Sequence, residues 1–180
     1  MPALHVAAIA CRSLGDHQQS LELIDRALAL QPESALLHVG RALTLVTRGD
    51  PDLAGARASA VTASSLDPAL PSPHYALALC ALGQPDLPGA ARHLSDALER
   101  NPDWAEAHRL MGTVRAKQGM ARLASRHLAA AGALDPDDGR SLGLLRLINA
   151  FGRGRRERKT VNPRLVPEAR RIMAVDLDLS

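Results

Sequence analysis

The sequence predicts an all-α fold assembled from repeated helical units, and three observations predict it. Ala (32 residues) and Leu (30) make up over a third of the 180 residues, whereas the only aromatics are Tyr75, Trp104 and Phe151. Ala and Leu head the helix scale, and strands draw on β-branched and aromatic side chains. Pro68, Pro102 and Pro136 stand 34 residues apart, and Pro32 precedes Pro68 by 36, a fixed period of the kind repeat proteins carry. No alternating β-branched run occurs in 1–151, so no strand is expected there.

Each periodic proline follows similar text: Ala27-Leu28-Ala29-Leu30-Gln31-Pro32, Ala63-Ser64-Ser65-Leu66-Asp67-Pro68, Ala97-Leu98-Glu99-Arg100-Asn101-Pro102 and Ala131-Gly132-Ala133-Leu134-Asp135-Pro136. A helix that stops one or two residues before each proline explains the spacing. Inside the units, the turn from Gly49 to Ala56 matches that from Gly83 to Ala90. Asp16, Asp52 and Asp86 share one slot, where a carboxylate can accept the free N–H groups of the following helix. After Pro136, Leu142, Leu145 and Ile148 fall on one helical face, so 140–151 reads as a terminal helix that Gly152 and Gly154 stop. Beyond it, Pro167 to Ala174 can open a short helix with proline in its first turn.

The fourth unit carries a resemblance. Asn101-Pro102-Asp103-Trp104-Ala105-Glu106-Ala107-His108-Arg109-Leu110-Met111-Gly112, then Lys117-Gln118-Gly119, then Ala124, Leu128, Ala131 and Pro136, resembles the tetratricopeptide repeat. The likeness covers 1–138, with half a unit more in 139–151. It implies a right-handed superhelix (solenoid) of helical hairpins, four repeats plus a terminal helix over 1–151, followed by a basic linker and C-terminal tail in 152–180. Small-residue slots fall on Ser20, Ala56, Ala90 and Ala124, and on Ala27, Ala63, Ala97 and Ala131. The large apolar slot between them holds Ile24, Leu94 and Leu128, but only Ala60 in the second unit, where packing is expected to be thinnest. Slots the family fills with aromatics hold Leu4, Gly40, His74 and His108, and further along Cys11, Thr47, Ala81 and Arg115.

Charge divides the chain. Residues 1–152 hold 14 Arg/Lys and 15 Asp/Glu, whereas 153–180 hold 8 and 4, so the net +3 is a property of the tail. Arg makes up 20 of the 22 basic residues, which with the Ala content suggests a bacterial source. The apolar start through Cys11 lacks the basic residues of an export signal and is interrupted by His5, and no stretch has the ~18–20 apolar residues of a membrane span. A cytoplasmic protein with no membrane partner is therefore expected. Cys11 and Cys80 have no partner at zinc spacing and read as small buried hydrophobes.

No phosphate-binding loop, nucleophile elbow, H-E-x-x-H or C-x-x-C is present, so no enzyme, cofactor or metal is expected. His74 and His108, and likewise His93 and His127, lie one period apart, which points to equivalent structural slots. The resemblance implies that the first helices of the hairpins line a concave channel for a peptide or protein. Helical spacing places Pro2, His5, Ile9 and Arg12 on that face, then His38, Arg41, Leu45 and Arg48, then Ser72, Tyr75, Leu79 and Leu82. Glu106, Arg109, Thr113 and Ala116 follow, with Arg140, Gly143, Leu147 and Ala150 from the last helix. Five arginines against Glu106 favour an acidic partner with apolar anchors, because Arg pairs bidentately with carboxylates. Relatives that clamp chaperone C-termini use Lys and Asn at slots that here hold His5, Ile9, Ala42, Ser72 and Ala76, so that role is not expected.

The protein is thus expected to be a non-catalytic interaction scaffold. The alternative is nucleic-acid binding through Arg153, Arg155, Arg156, Arg158 and Lys159, salt-dependent and unspecific because no aromatic there can stack on bases. The alternating apolar and acidic end, Val175-Asp176-Leu177-Asp178-Leu179-Ser180, suits a basic groove in its own chain or a neighbour's, which makes self-association through the tail a further expectation.

Overall fold

The computed structural model describes residues 2–156. Nine helices follow in order among the described residues: α1 (Pro2–Ser13), α2 (His17–Leu30), α3 (Ala35–Thr47), α4 (Leu53–Leu66), α5 (Ser72–Gly83), α6 (Leu87–Arg100), α7 (Ala105–Lys117), α8 (Ala121–Leu134) and α9 (Gly139–Arg156). They fall into two compact units, divided between Arg100 and Asn101. In the first, α1 pairs with α2, α3 with α4 and α5 with α6, and successive hairpins meet through α2–α3, α4–α5, α1–α3 and α3–α5. In the second, α7 pairs with α8 and α9 packs on both.

The proline period sets the helix ends. Helices α2, α4, α6 and α8 each stop two residues before the periodic proline, at Leu30, Leu66, Arg100 and Leu134. The residue between closes the last turn: Gln31, Asp67 and Asp135 donate their N–H to Ala27, Ala63 and Ala131 at 2.9, 2.9 and 2.8 Å. At the other ends, Asp16, Asp52 and Asp86 accept from the backbone of Gln19, Gly55 and Gly89 at 3.0, 2.9 and 2.9 Å. At Gly89 the carboxylate lies so close that a Cβ would come within 2.0 Å of Asp86 Oδ2, whereas Asp16 makes the same bond to Gln19.

The core follows the small-residue slots. Ser20, Ala56, Ala60, Ala63, Ala90, Ala97, Ala124 and Ala131 are completely buried, as are Leu94 and Leu128, and Ile24 and Ala27 nearly so. Where the second hairpin meets α5 the core is built from Ala42, Ala60, Ala76 and Leu77 with Leu43 against it, the small-side-chain packing expected of Ala60. Two buried hydroxyls tie α1, α2 and α3 together: Ser20 donates to Ala8 O at 2.9 Å and touches Thr44 Oγ1 at 3.2 Å, while Thr44 donates to Gly40 O at 2.8 Å.

One expectation about the end of the array is corrected. Gly152 and Gly154 do not stop α9, which runs on to Arg156. A glycine inside a helix costs about 1 kcal/mol relative to Ala, enough to weaken a helix but not to end it. Among the described residues no helix is long and apolar enough to cross a membrane.

Candidate functional site: the face of the first helices

The position of each first-helix side chain depends on where the second repeat keeps its two extra residues. In three hairpins the first residue after the turn donates its N–H five residues back: Asp16 to Cys11 O at 2.9 Å, Asp86 to Ala81 O at 2.9 Å and Met120 to Arg115 O at 2.8 Å. In the second hairpin Asp52 reaches seven back, to Leu45 O at 3.1 Å. The two extra residues therefore lie in the α3–α4 turn. Helix α3 begins three residues after Pro32, just as α7 begins three after Pro102. The rings of His38 and His108 accordingly make the same bond, Nε2 donating to Pro32 O at 2.9 Å and to Pro102 O at 2.8 Å.

This corrects the face assigned to α3, which follows from counting backwards from the turn. Leu45, not Thr47, shares the slot of Cys11, Ala81 and Arg115, and it is buried. His38, not Gly40, shares the slot of Leu4, His74 and His108. Arg41 turns toward the second helices, where Nε pairs with Asp25 Oδ1 at 3.0 Å and Nη1 donates to Ser59 Oγ at 3.2 Å. Arg48 caps α3 at its C-terminal end. The positions that continue the face of His5, Ile9 and Arg12 are instead Leu36, Val39, Leu43 and Val46. Of these, Leu36 is 54% exposed, Leu43 is half-buried, and Val39 and Val46 are buried.

Arg41→Glu is accordingly expected to destabilise the first unit by about 1 kcal/mol, because it sets two carboxylates against each other across a half-exposed pair. Combining it with Asp25→Arg should recover most of the loss in urea denaturation.

On α1 of the first unit, His5 and Arg12 are half-buried and Ile9 is exposed, and His5 Cε1 lies 3.9 Å from where a Cβ on Gly40 would stand. On α5, Tyr75 and Leu79 are buried, because this helix is packed against α3, α4 and α6, while Ser72 and Leu82 are half-buried. The strip is therefore mainly apolar, with Arg12 as its cation.

In the second unit, Arg109 Nη2 stands 3.6 Å from Glu106 Oε1 and Nε stands 4.0 Å from Asp138 Oδ2. Burial would raise the Asp138 carboxyl, but the Ser141 hydroxyl, the amides of Arg140 and Ser141, and Arg109 outweigh it and hold it below the usual range. Thr113 is fully buried, donating to Arg109 O at 3.1 Å, and Leu147 is also buried. Arg140 is exposed. Arg41 and Arg109 thus both face acids of their own unit, so two of the five arginines expected on the basic, partly apolar face are paired within the chain.

His108 and His127 meet through their Nδ1 atoms at 3.1 Å. Since His108 Nε2–H goes to Pro102 O, a neutral His108 accepts at Nδ1 and His127 donates. Burial, then His108, Arg115 and Arg126, lower His127 to a pKa of about 4, so it is neutral at pH 7. Cys80 is buried, which pushes its thiol pKa up, and Cys11 donates to Gln19 Oε1 at 3.4 Å. Arg153, Arg155 and Arg156 fall on the last turns of α9. Arg158, Lys159, the helix expected from Pro167 and the tail at 175–180 lie outside the described residues.

No family model matches the chain, and no curated protein matches it. Solved structures do. TTC0263, a thermophilic tetratricopeptide-repeat protein of Thermus thermophilus, is similar over 99% of this chain and 94% of its own, with 22% identity and a TM-score of 0.71. YrrB, described as a tetratricopeptide-repeat protein with an unusual peptide-binding site, matches over 94% and 82%, with 20% identity and a TM-score of 0.60. The O-GlcNAc transferase of Thermobaculum terrenum, as its K341M mutant, matches 73% of this chain at 22% identity and a TM-score of 0.66, but the match spans only 25% of that enzyme. Helical hairpins on a 34-residue period, small residues buried at the repeated slots and these likenesses together show that the chain has the tetratricopeptide-repeat fold.

Proposed function

We propose that the protein is a non-catalytic interaction scaffold whose first unit binds a peptide segment along α1, α3 and α5, through apolar anchors with an acidic group set against Arg12. The observation that carries this reading is the strip of Ile9, Leu36, Leu43 and Leu82, left exposed or half-buried on first helices whose other faces are packed. Isolated exposed leucines need no explanation, but several on adjacent helices form a surface that suits a partner's side chains. Arg12 takes no ion pair among the described residues and supplies a carboxylate partner beside Ile9, one helical turn away. The peptide-binding site named for YrrB supports a peptide as the kind of ligand.

Selection of peptides from a display library on the full chain tests this. Selected sequences should combine apolar residues with Asp or Glu, and Ile9→Asp with Leu36→Asp should weaken their binding at least tenfold while far-ultraviolet circular dichroism stays unchanged. Leu123→Asp, on α8, should leave affinity intact. Equal affinity in the double variant would remove the strip from consideration. Binding that vanishes on nuclease treatment or on deletion of 153–159 would favour nucleic acid instead.

A further inference from the structure

We propose that His74, His93 and Asp96 form a site for a divalent transition metal of the zinc class on the α5–α6 hairpin. His93 and Asp96 lie one turn apart on α6, and His74 faces them from α5. Each offers one ligand atom, and the three atoms lie within 4.8 Å of one another. The Nδ1 atoms of His74 and His93 stand 3.7 and 3.9 Å from Asp96 Oδ2. Those separations are too long for hydrogen bonds. They approach the ~3.3 Å between two ligand atoms that each sit ~2.0–2.1 Å from a tetrahedral zinc ion.

The second observation is that both nitrogens of His74 and Nδ1 of His93 are shielded from solvent and have no hydrogen-bond partner. Buried polar atoms in folded proteins are ordinarily satisfied. One repeat later the same two slots hold His108 and His127, which bond to each other and, through His108, to Pro102 O. His74 does not take that solution: the equivalent carbonyl, Pro68 O, accepts from Arg100 Nε at 2.8 Å and receives nothing from the ring. The histidines that recur with the repeat therefore have structural partners in one hairpin and lack them in the other, and only the unsatisfied pair has a carboxylate beside it.

The chemistry of the ligands agrees. Imidazole nitrogens and a carboxylate oxygen are the donors that such a metal takes. Arg100 near His74, and Arg57 and Arg92 near His93, oppose a cation, while Asp96 and Asp86 favour one. Two imidazoles and one carboxylate suit zinc or cobalt over calcium or magnesium, and leave a fourth position for water. A metal there would cross-link α5 to α6 and stabilise the hairpin by mass action.

Titrating the metal-free full chain with Co2+ tests the site. One equivalent should produce the visible d–d absorption of tetrahedral cobalt without sulfur charge transfer in the near ultraviolet, and Zn2+ should abolish it. Zn2+ should also raise the thermal midpoint. Asp96→Asn, at a side chain 45% exposed, should lose both responses while keeping its helix content, and His93→Gln should do the same. His127→Gln, at the equivalent slot of the next hairpin, should keep both. If His93→Gln does not fold, Asp96→Asn alone decides. Absence of the cobalt band in the wild type, its persistence in Asp96→Asn, or a thiolate band would each overturn the site.

Discussion

Leu128→Ala is expected to cost about 3–5 kcal/mol, a large part of the 5–15 kcal/mol that holds a typical domain folded. Leu128 is completely buried, packed with Ala124, Leu144 and Ile148. Opposite it on α7 lies Gly112, where a Cβ would meet Leu128 Cγ at 2.6 Å and Ala124 O at 3.3 Å. Residues as small as Gly112 and Ala124 have nothing to swing into the vacated space, so the cavity stays open. Gly112→Ala alone should also destabilise, by about 1–3 kcal/mol, because the overpacking exceeds the ~1 kcal/mol that alanine gains in helix propensity. The double variant should cost less than the sum by about 0.5–3 kcal/mol, since each change relieves the other. Urea denaturation followed by helical circular dichroism measures all three, and strictly additive costs would show that the two residues do not share this contact.

Acid should unfold the second unit earlier than a carboxylate-based account suggests, because of His127. Its ordinary pKa of 6.5 is lowered to about 4 in the fold, where it is buried and faces His108, Arg115 and Arg126. Between those values the unfolded chain binds the proton and the folded chain resists it, so stability rises with pH. The contribution is fully present above pH 6.5 and is lost as pH falls toward 4. His127→Gln should flatten the fall in denaturation midpoint between about pH 7 and pH 4.5, leaving the share that His74 and His93, shifted the same way, contribute from the first unit. An unchanged slope would mean that His127 is protonated in the fold.

The helical architecture is legible in the sequence because its causes are local. Prolines end helices, aspartates cap them and small residues mark where helices touch, so the period exposes the ends of α2, α4, α6 and α8 and the residues in the core. The face of α3 is misread for an equally physical reason. A spacing of 36 between Pro32 and Pro68 says that two residues are extra but not on which side of the helix they lie. The similar turns at Gly49 and Gly83 invite counting backwards, which displaces His38, Arg41, Leu45 and Arg48 by two positions. A signal is present: Pro32, Pro68 and Pro102 each precede a histidine by six residues, and a small residue, Ala42, Ala78 or Gly112, by ten. Arg41 and Arg109 show a second limit. Charge on a helix face can be read from spacing, but the acids it meets, Asp25 and Asp138, come from other parts of the chain.

The enlarged α3–α4 turn also says where this chain can take on length. A helix passes on its phase residue by residue at 3.6 per turn, so two residues added inside α3 would swing everything after them by about 200° and empty the core slots of Ala42 and Leu45. Added in the turn, the same two residues leave every buried contact in place, and each doubling of a loop costs only about 0.6 kcal/mol. Gly49 to Asp52 are exposed on the surface. That segment is a natural graft point: an epitope, a fluorophore site or a second binding loop spliced between Gly49 and Pro51 would be displayed beside the scaffold without disturbing its phase.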